Sequence, residues 1–360
     1  MVDQFINDME GEFGKEAPLN KSRGKVHDYL GMTLDFSNLG EVTITMIDYI
    51  KGILHDAPKE MRWSAATPAA NHLFQINENP IPLKMEEAEI YVHIVMQLLY
   101  LSQRARPDIR TAVSFLCGRL TKPDQDDYKK LARVIKYLDS TVDMALVLAA
   151  DDTGKIKWWV DASYAVHTDM KSHTGGTLSM GKGSIYSTSN KQKLVTRSST
   201  EAEVVGVHDV MPQLIWTAHF LDGQGVTIDE SILYQDNTSS ILLEKNGRSS
   251  STKRTRHMNI RYFFIKDQVD SKRVKIEHCP TGDMLADFFT KPLQGLQFRK
   301  LRDQIMNIAP SSAYHSNNSG HRSVLKTKSP GTGNFNDVST STTSNESATS
   351  TRSYKEVLLG

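Results

Sequence analysis

Apolar and polar residues alternate between Val26 and Met46, with a turn-prone Asn38-Leu39-Gly40 in the middle. Alternation with a period of two places one set of side chains on one face of a strand. Two such runs around a turn therefore predict a β-hairpin. The alternating apolar residues are Leu30, Met32, Leu34 and Phe36 before the turn, and Val42 and Ile44 after it.

The apolar spacing changes to three and four residues between about Glu87 and Leu138, which is typical of amphipathic helices. Pro107 and Pro123 stand near the breaks between periodic runs, where proline commonly starts or ends a helix. The periodic positions predict a packed core in preference to a ligand site. They are Ile109, Val113, Leu116 and Leu120 in one run, and Tyr128, Leu131, Ile135 and Leu138 in the next.

A turn-like AADDTG segment at 149–154 separates this helical region from a second region that mixes strands and helices. Strands in succession, followed by alternating helices and strands, predict an α/β domain in which helices flank a mixed sheet. The predicted strands are 156–163, 174–180, 183–188, 231–236 and 273–279, and the predicted helices are 200–221, 237–246, 257–269 and one that begins near Asp283.

Composition argues against a membrane-spanning, secreted or disulfide-rich protein. With 360 residues, 39% of them hydrophobic, the chain can form two domain cores, and no apolar run is long enough to span a membrane. The polar segment 1–25 does not resemble a secretory signal, and only Cys117 and Cys279 are present, which excludes a disulfide framework. We therefore expect an intracellular protein, cytoplasmic or nuclear, and not a secreted one. From Ser311 on, 19 of 50 residues are Ser or Thr, so we expect a disordered tail at 309–360.

Four acidic residues lie where a predicted strand or helix begins or ends: Asp161, Glu203, Asp236 and Asp287. Asp161 and Asp236 each end an apolar strand, and ligands of open α/β sheets bind beyond the carboxyl ends of strands. Asp287 lies beside apolar residues, where a carboxylate is costly unless it is paired or metal-bound. Carboxylate oxygens bind hard divalent cations, so these residues predict a metal site suited to phosphodiester hydrolysis.

Glu203 has a competitor in Glu201, because the sequence contains two overlapping capping boxes, Ser198 with Glu201 and Thr200 with Glu203. Either glutamate could serve only to cap the helix. We favour Ser198 as the N-cap with Glu201 returning the hydrogen bond. This arrangement leaves Glu203 to project from the first full turn.

Five segments, in their order and spacing, closely resemble the ribonuclease H domain of copia-type retrotransposon polyproteins. They are WWVDAS, SNKQKLVTRSSTEAE, QDNTSS, KRTRHMNIRYFFIKD and ADFFTKPL. Upstream, YLGMTLDFS, LLYLSQRARPDIRTAVSFL and ARVIKYLDST resemble the end of the reverse transcriptase in the same elements. The resemblance implies a reverse transcriptase C-terminal region, from the end of the palm through thumb and connection, at 26–150. It implies a ribonuclease H-like domain at 155–308.

The resemblance also implies a mixed five-stranded sheet with flanking helices that cuts the RNA strand of an RNA–DNA hybrid with two Mg²⁺ ions, or with Mn²⁺. By motif, the catalytic and metal-binding residues are Asp161, Glu203, Asp236 and Asp287. These residues would hold the two ions about 4 Å apart. His278, nine positions before Asp287, is a weak candidate for the loop histidine of cellular ribonucleases H.

Basic residues support an interaction with nucleic acid. Because the net charge of the whole chain is only +1, binding must depend on local patches. Residues 252–273 carry seven basic against two acidic side chains, a net +5, and a second group precedes the helix of Glu203. Such residues suit contacts with phosphates. The candidate contacts are Lys191, Lys193 and Arg197 in the second group, and Lys253, Arg254, Arg256 and Arg261 in the first.

Two functions stay open at this stage. The first is a metal-dependent endoribonuclease that acts on RNA–DNA hybrids. The second is a catalytically idle retroelement fragment that keeps the fold and nucleic-acid binding. No aspartate pair of the kind that reverse transcriptases require precedes YLGMTLDFS, so we do not expect DNA synthesis by this chain. The polymerase portion of such a polyprotein is a candidate partner.

Overall fold

Two five-stranded β-sheets organise the part of the chain that the structure, a computed structural model, describes: residues 2–246 and 259–309. The strands are β1 Val26–Tyr29, β2 Met32–Asp35, β3 Glu41–Thr45, β4 Leu146–Ala150, β5 Lys155–Ser163, β6 His173–Ser179, β7 Gly181–Lys182, β8 Tyr186–Lys191, β9 Glu230–Gln235 and β10 Lys275–His278. The helices are α1 Val2–Phe13, α2 Ile47–Asp56, α3 Met85–Arg104, α4 Arg110–Cys117, α5 Gln125–Asp139, α6 Ser199–Gly223, α7 Thr238–Asn246, α8 Asn259–Asp270, α9 Asp287–Thr290 and α10 Gly295–Met306.

The first sheet is antiparallel and has the strand order β1-β2-β3-β4-β7. The predicted hairpin forms between β2 and β3. The prediction that its first arm is a single strand was wrong. A second turn divides that arm, because Leu30 and Gly31 both adopt positive φ angles, 51° and 75°. Two consecutive residues of that kind close a tight hairpin whose twist matches the flanking strands, so β1 folds back on β2. Leu30 is accordingly exposed and not part of the core.

The second sheet is mixed and has the strand order β10-β9-β5-β6-β8. Its central strand β5 pairs antiparallel with β6 and parallel with β9, and β10 adds parallel to β9. Helix α6 packs on this sheet through Trp158 and Val160, which are completely buried. The α/β architecture with a mixed five-stranded sheet, predicted from the sequence, is confirmed.

The third predicted strand of this region, 183–188, was misplaced. Residues 181–182 form β7, which pairs with β4 and so belongs to the first sheet. The next strand of the second sheet, β8, begins only at Tyr186 and extends to Lys191. The chain therefore crosses from one sheet to the other within a few residues, which the local apolar pattern did not reveal. The expected tail from residue 310 on lies outside the described residues.

Most of the periodic apolar residues predicted to form a helical core do so, but Leu120 and Tyr128 are only partly buried, and Leu120 lies in a turn after the end of α4. Ile109, Val113, Leu131 and Leu138 are completely buried in the first hydrophobic cluster. This cluster also contains residues of α9 and α10, near the end of the described chain. The C-terminal helices thus pack into the core of the first region. None of the helices in residues 2–246 and 259–309 is both long and apolar enough to cross a membrane.

Candidate active site

Neighbouring strands and one helix position three of the candidate carboxylates. Asp161 lies in β5, and Asp236 directly follows the last residue of β9, Gln235. Because β5 and β9 are adjacent and parallel, their carboxyl ends meet at the same edge of the sheet. Helix α6 packs on β5 and carries Glu203 in its first turns. Residues far apart in the sequence therefore reach one location.

Asp161, Glu203 and Asp236 each offer a carboxylate oxygen, and these oxygens all lie within 4.8 Å of one another. Asp161 and Glu203 are buried, with 3% and 4% of their surface exposed, whereas Asp236 is half-buried. Burial, together with the negative charges of Asp161 and Asp236, raises the pKa of Glu203 well above its ordinary value. Asp161, Glu203 and Asp236 therefore form an electrostatically strained group of like charges.

Asp287 joins this group through a lysine. It is the first residue of α9, after a short 3-10 turn at 281–283, and is 3% exposed. The ammonium of Lys291 lies 2.6 Å from Asp287 Oδ1 and 3.4 Å from Asp161 Oδ2. Burial lowers the pKa of Lys291, but the carboxylates of Asp161 and Asp287 outweigh that effect and raise it. The structure thus brings the fourth predicted carboxylate beside the other three, although outside their oxygen cluster.

The donor set fits a divalent cation. The three clustered ligands are carboxylate oxygens, which hard cations such as Mg²⁺ and Mn²⁺ prefer, and they lie within 4.8 Å of one another. The Lys291 ammonium between Asp161 and Asp287 shows that positive charge is stabilised here. Asp161, Glu203 and Asp236 would hold the ion, with Asp287 as the adjacent fourth carboxylate.

The hydrogen bonds at the N-terminus of α6 show that Glu201, and not Glu203, caps the helix. Ser198 is the N-cap of α6, and its hydroxyl accepts from the Glu201 N–H at 3.2 Å, as predicted. The Glu201 carboxylate accepts from the N–H of Arg197 at 2.8 Å, one residue earlier than a standard capping box. Glu201 therefore serves the helix N-terminus and Glu203 contributes to the carboxylate cluster.

Four polar residues that contact the carboxylates were not predicted from the sequence: Thr290, Thr281, Gln235 and Lys291. Thr290, completely buried, donates its hydroxyl to Asp161, and Thr281 donates to Asp236 at 3.1 Å. Gln235 donates its amide to Glu203 at 3.4 Å. Two signals were available: Lys291 stands four residues after Asp287, the spacing of a helical ion pair, and Gln235 shares a strand face with the buried Leu233.

The candidate nucleic-acid contacts differ in position. Lys191 ends β8 and pairs with Asp169 at 2.9 Å, while Lys193 and Arg197 are exposed shortly before α6. Arg261 lies in α8. The predicted contacts Lys253, Arg254 and Arg256 lie outside the described residues.

His278 is placed away from the carboxylate cluster. It is the last residue of β10, exposed, and it lines a cavity of about 890 Å³ together with Trp159 and Tyr234. The metal-ligand cluster found in the described part of the chain does not include it. Its position is that of a surface histidine at a strand end.

Asp287→Asn is expected to stabilise the metal-free protein at pH 7.5. Burial, and then the Asp161 carboxylate, raises the pKa of Asp287 to about 6, whereas an unfolded aspartate has a pKa of about 3.9. Ionisation above pH 6 therefore destabilises the fold, and this cost disappears as the pH falls from 6 to 4. The variant should exceed the parent by about 1–3 kcal/mol in free energy of unfolding at pH 7.5, and the difference should shrink toward pH 4.

Urea unfolding in EDTA at several pH values measures this difference. Asp283→Asn is the matched control, because Asp283 belongs to the same segment but its side chain is 67% exposed. The control should follow the parent at every pH. An Asp287→Asn protein no more stable than the parent at pH 7.5 would show that the Asp287 carboxylate is not strained.

The strand order of the second sheet and the carboxylates at its edge define a class of protein. Three antiparallel strands, β5, β6 and β8, are extended on the other side of β5 by parallel β9 and β10, and a helix crosses the sheet with a carboxylate in its first turns. This is a ribonuclease H-like fold.

Comparisons with known proteins find relatives that match much of this chain. The Pol polyprotein of transposon TNT 1-94 from Nicotiana tabacum is 28% identical over 84% of this chain, and that of transposon RE2 from Arabidopsis thaliana is 34% identical over 63% of it. The chain is thus similar over much of its length to copia-type retrotransposon Pol polyproteins, consistent with a fragment of such a polyprotein. It spans only 23% and 16% of the length of these two relatives.

Solved structures that resemble the chain include LC11-RNase H1, isolated from compost by a metagenomic approach. That protein shares 15% identity with the chain, over 38% of this chain and 91% of its own, with a TM-score of 0.29. No protein-family model matches the chain.

Proposed function

We propose that this protein is a metal-dependent endoribonuclease that cuts the RNA strand of RNA–DNA hybrids. The observation that carries the proposal is the convergence of Asp161, Glu203 and Asp236, whose carboxylate oxygens lie within 4.8 Å of one another on a ribonuclease H-like sheet. Carboxylates this close repel one another, so a contribution to stability does not explain why these three converge.

The residues around the carboxylates hold them in place. Thr290 donates to Asp161, and Gln235 and the backbone of Ala162 donate to Glu203. Asp161, Glu203 and Asp236 would hold a divalent cation, which would supply Lewis-acid stabilisation of phosphate oxygens and activation of water. The protein's own contribution is to fix the ligand oxygens before the substrate arrives.

The substrate side of the proposal depends on exposed positive charge. Lys193 and Arg197 precede α6 closely, so they lie near the helix end that carries Glu203. Basic side chains on a surface bind the phosphate backbone without reading sequence. We expect hybrid recognition by backbone and 2′-hydroxyl geometry, with little sequence preference.

A cleavage assay with four labelled substrates tests the proposal: RNA–DNA hybrid, double-stranded RNA, double-stranded DNA and single-stranded RNA. The purified full chain should cut only the RNA strand of the hybrid, it should require Mg²⁺ or Mn²⁺, and EDTA should stop it. Absence of cleavage by folded protein across a titration of both metals would contradict the proposal.

Lys291 favours a second candidate function. Its ammonium, 2.6 Å from Asp287 and 3.4 Å from Asp161, already neutralises part of the charge that a metal would neutralise. A site stabilised in this way can persist without catalysis, as in an idle fragment that only binds hybrids. Salt-sensitive binding of the hybrid without turnover would select this candidate.

A further inference from the structure

A carboxyl group outside the metal-ligand cluster is completely buried. Glu244 lies in α7, and none of its surface is exposed. Ser240, four residues earlier on the same helix and equally buried, donates its hydroxyl to Glu244 Oε1 at 2.9 Å. The second oxygen, Oε2, is buried and has no hydrogen-bond partner among residues 2–246 and 259–309.

Gln235 connects this carboxyl to the candidate site. Its side-chain amide nitrogen donates to Ser240 Oγ at 3.2 Å and to Glu203 Oε2 at 3.4 Å. Both N–H groups of the amide are therefore in use, one toward each neighbour. The amide oxygen, Oε1, is buried and has no hydrogen-bond partner in the described part of the chain. A continuous chain of contacts runs from Glu203 through Gln235 and Ser240 to Glu244.

Two buried acceptors on side chains of one network meet no donor from the described residues, and a proton on Glu244 would supply one. Buried polar atoms in native proteins are almost always hydrogen-bonded. A proton on Glu244 turns one of its oxygens into a donor, and Gln235 Oε1 is an acceptor without a partner in the same network. Burial raises the pKa of Glu244 to about 8, although Ser240 and Gln235 lower it, which agrees with a neutral carboxylic acid.

We propose that Glu244 is a positioning residue that acts, as a neutral acid, through Gln235 on the metal ligand Glu203. This inference builds on the proposed function. A protonated Glu244 fixes the Gln235 amide in the orientation that directs an N–H group at Glu203, so the Glu203 carboxylate is held where the metal requires it. Without Glu244 the Gln235 amide keeps only the contacts of its N–H groups with Ser240 and Glu203, so its orientation is less fixed and the order of the ligand set is reduced.

Two variants of Glu244 separate positioning from packing. Glu244→Gln keeps the shape and a donor group, whereas Glu244→Met fills the volume without polar atoms. Glu244→Met should lower kcat for hybrid cleavage about 10- to 100-fold and raise the half-saturating Mg²⁺ concentration, with KM for the hybrid unchanged. Glu244→Gln should restore at least half of the parental kcat.

A second readout is independent of catalysis. Mn²⁺ should raise the thermal midpoint of the parent and of Glu244→Gln, and Glu244→Met should require about tenfold more Mn²⁺ for the same rise. Midpoints measured in EDTA show whether each variant is folded. If the parent itself cleaves nothing but the Mn²⁺ shifts follow this pattern, the positioning role stands and the endoribonuclease function fails.

Two results would overturn the inference. One is a folded Glu244→Met protein with the parental kcat and metal requirement, which would make Glu244 a merely structural group. The other is a Glu244→Gln protein as impaired as Glu244→Met, which would show that the carboxyl does not act as a neutral hydrogen-bonding acid.

Discussion

Asp161→Asn is expected to lower the rate of RNA–DNA hybrid cleavage by about 10³-fold, about 4 kcal/mol of activation free energy. Asp161 is the carboxylate that contacts most of the other site residues. Its oxygens belong to the cluster with Glu203 and Asp236, accept from Thr290 and face Lys291. Asparagine keeps the shape and the hydrogen bond but removes the charge, so the fold should survive while metal binding weakens. Initial rates in Mg²⁺ measure the effect.

Asp222→Asn is the matched control for this experiment. Asp222 is an exposed carboxylate near the far end of α6, 19 residues beyond Glu203, which corresponds to roughly 28 Å along the helix. Its loss should leave the rate within about twofold of the parent. The Asp161→Asn protein, purified in the same way, also reveals any contaminating nuclease. If it kept more than a tenth of the parental rate, the carboxylate cluster would not be the catalytic site.

Asp108→Asn is expected to lower the free energy of unfolding by about 3–5 kcal/mol. The side chains of Arg106 and Asp108 are completely buried and joined by two hydrogen bonds of 2.9 and 2.8 Å. Tyr137 donates to Asp108 at 2.7 Å, and Arg106 donates twice to Thr141. Burial raises the pKa of Asp108, but Arg106 and these hydrogen bonds outweigh it and lower the pKa. Removing the negative charge leaves a buried guanidinium without its counter-ion.

Asp48→Asn provides a control of the same chemistry at the surface. Asp48 pairs with Lys51 at 3.1 Å, but the two side chains are 97% and 63% exposed, so solvent screens the interaction. Its replacement should change the free energy of unfolding by less than about 1 kcal/mol. Urea unfolding of both variants beside the parent gives the comparison. Equal effects of the two substitutions would contradict the argument from burial.

Strand ends and helix faces could be predicted from the sequence because each depends on neighbours along the chain. Asp161 was expected near the carboxyl end of its strand, and Asp236 follows β9 directly, because alternation marks where an apolar strand stops. Ser198 could be recognised as an N-cap from the serine and the glutamate three residues later. The apolar stripes of α4 and α5 are buried for the same local reason.

The connections between distant segments could not be predicted in this way. Residues 181–182 pair with β4, which depends on where β4 lies and not on the two residues themselves. The supporting role of Gln235 depends on α7 placing Ser240 and Glu244 beside it. A single sequence shows that Gln235 and Glu244 are polar, but it does not show which partners they meet. Lys291 belongs to the segment ADFFTKPL, yet its contact with Asp161 depends on how α9 packs against β5.

Helix α9 begins at Asp287, and Lys291 directly follows its last residue, Thr290. Residues of the first region, which contains α4, contact this helix. Thr111 of α4 donates its hydroxyl to the carbonyl oxygen of Phe288 at 2.8 Å. On the opposite side, β6 approaches so closely that a methyl group added at Gly175 would lie 2.6 Å from Thr290. The position of Asp287 therefore depends on residues of both sheet regions: a chain in which residues 26–150 misfold would lose the hydrogen bond from Thr111 that supports the helix of this carboxylate.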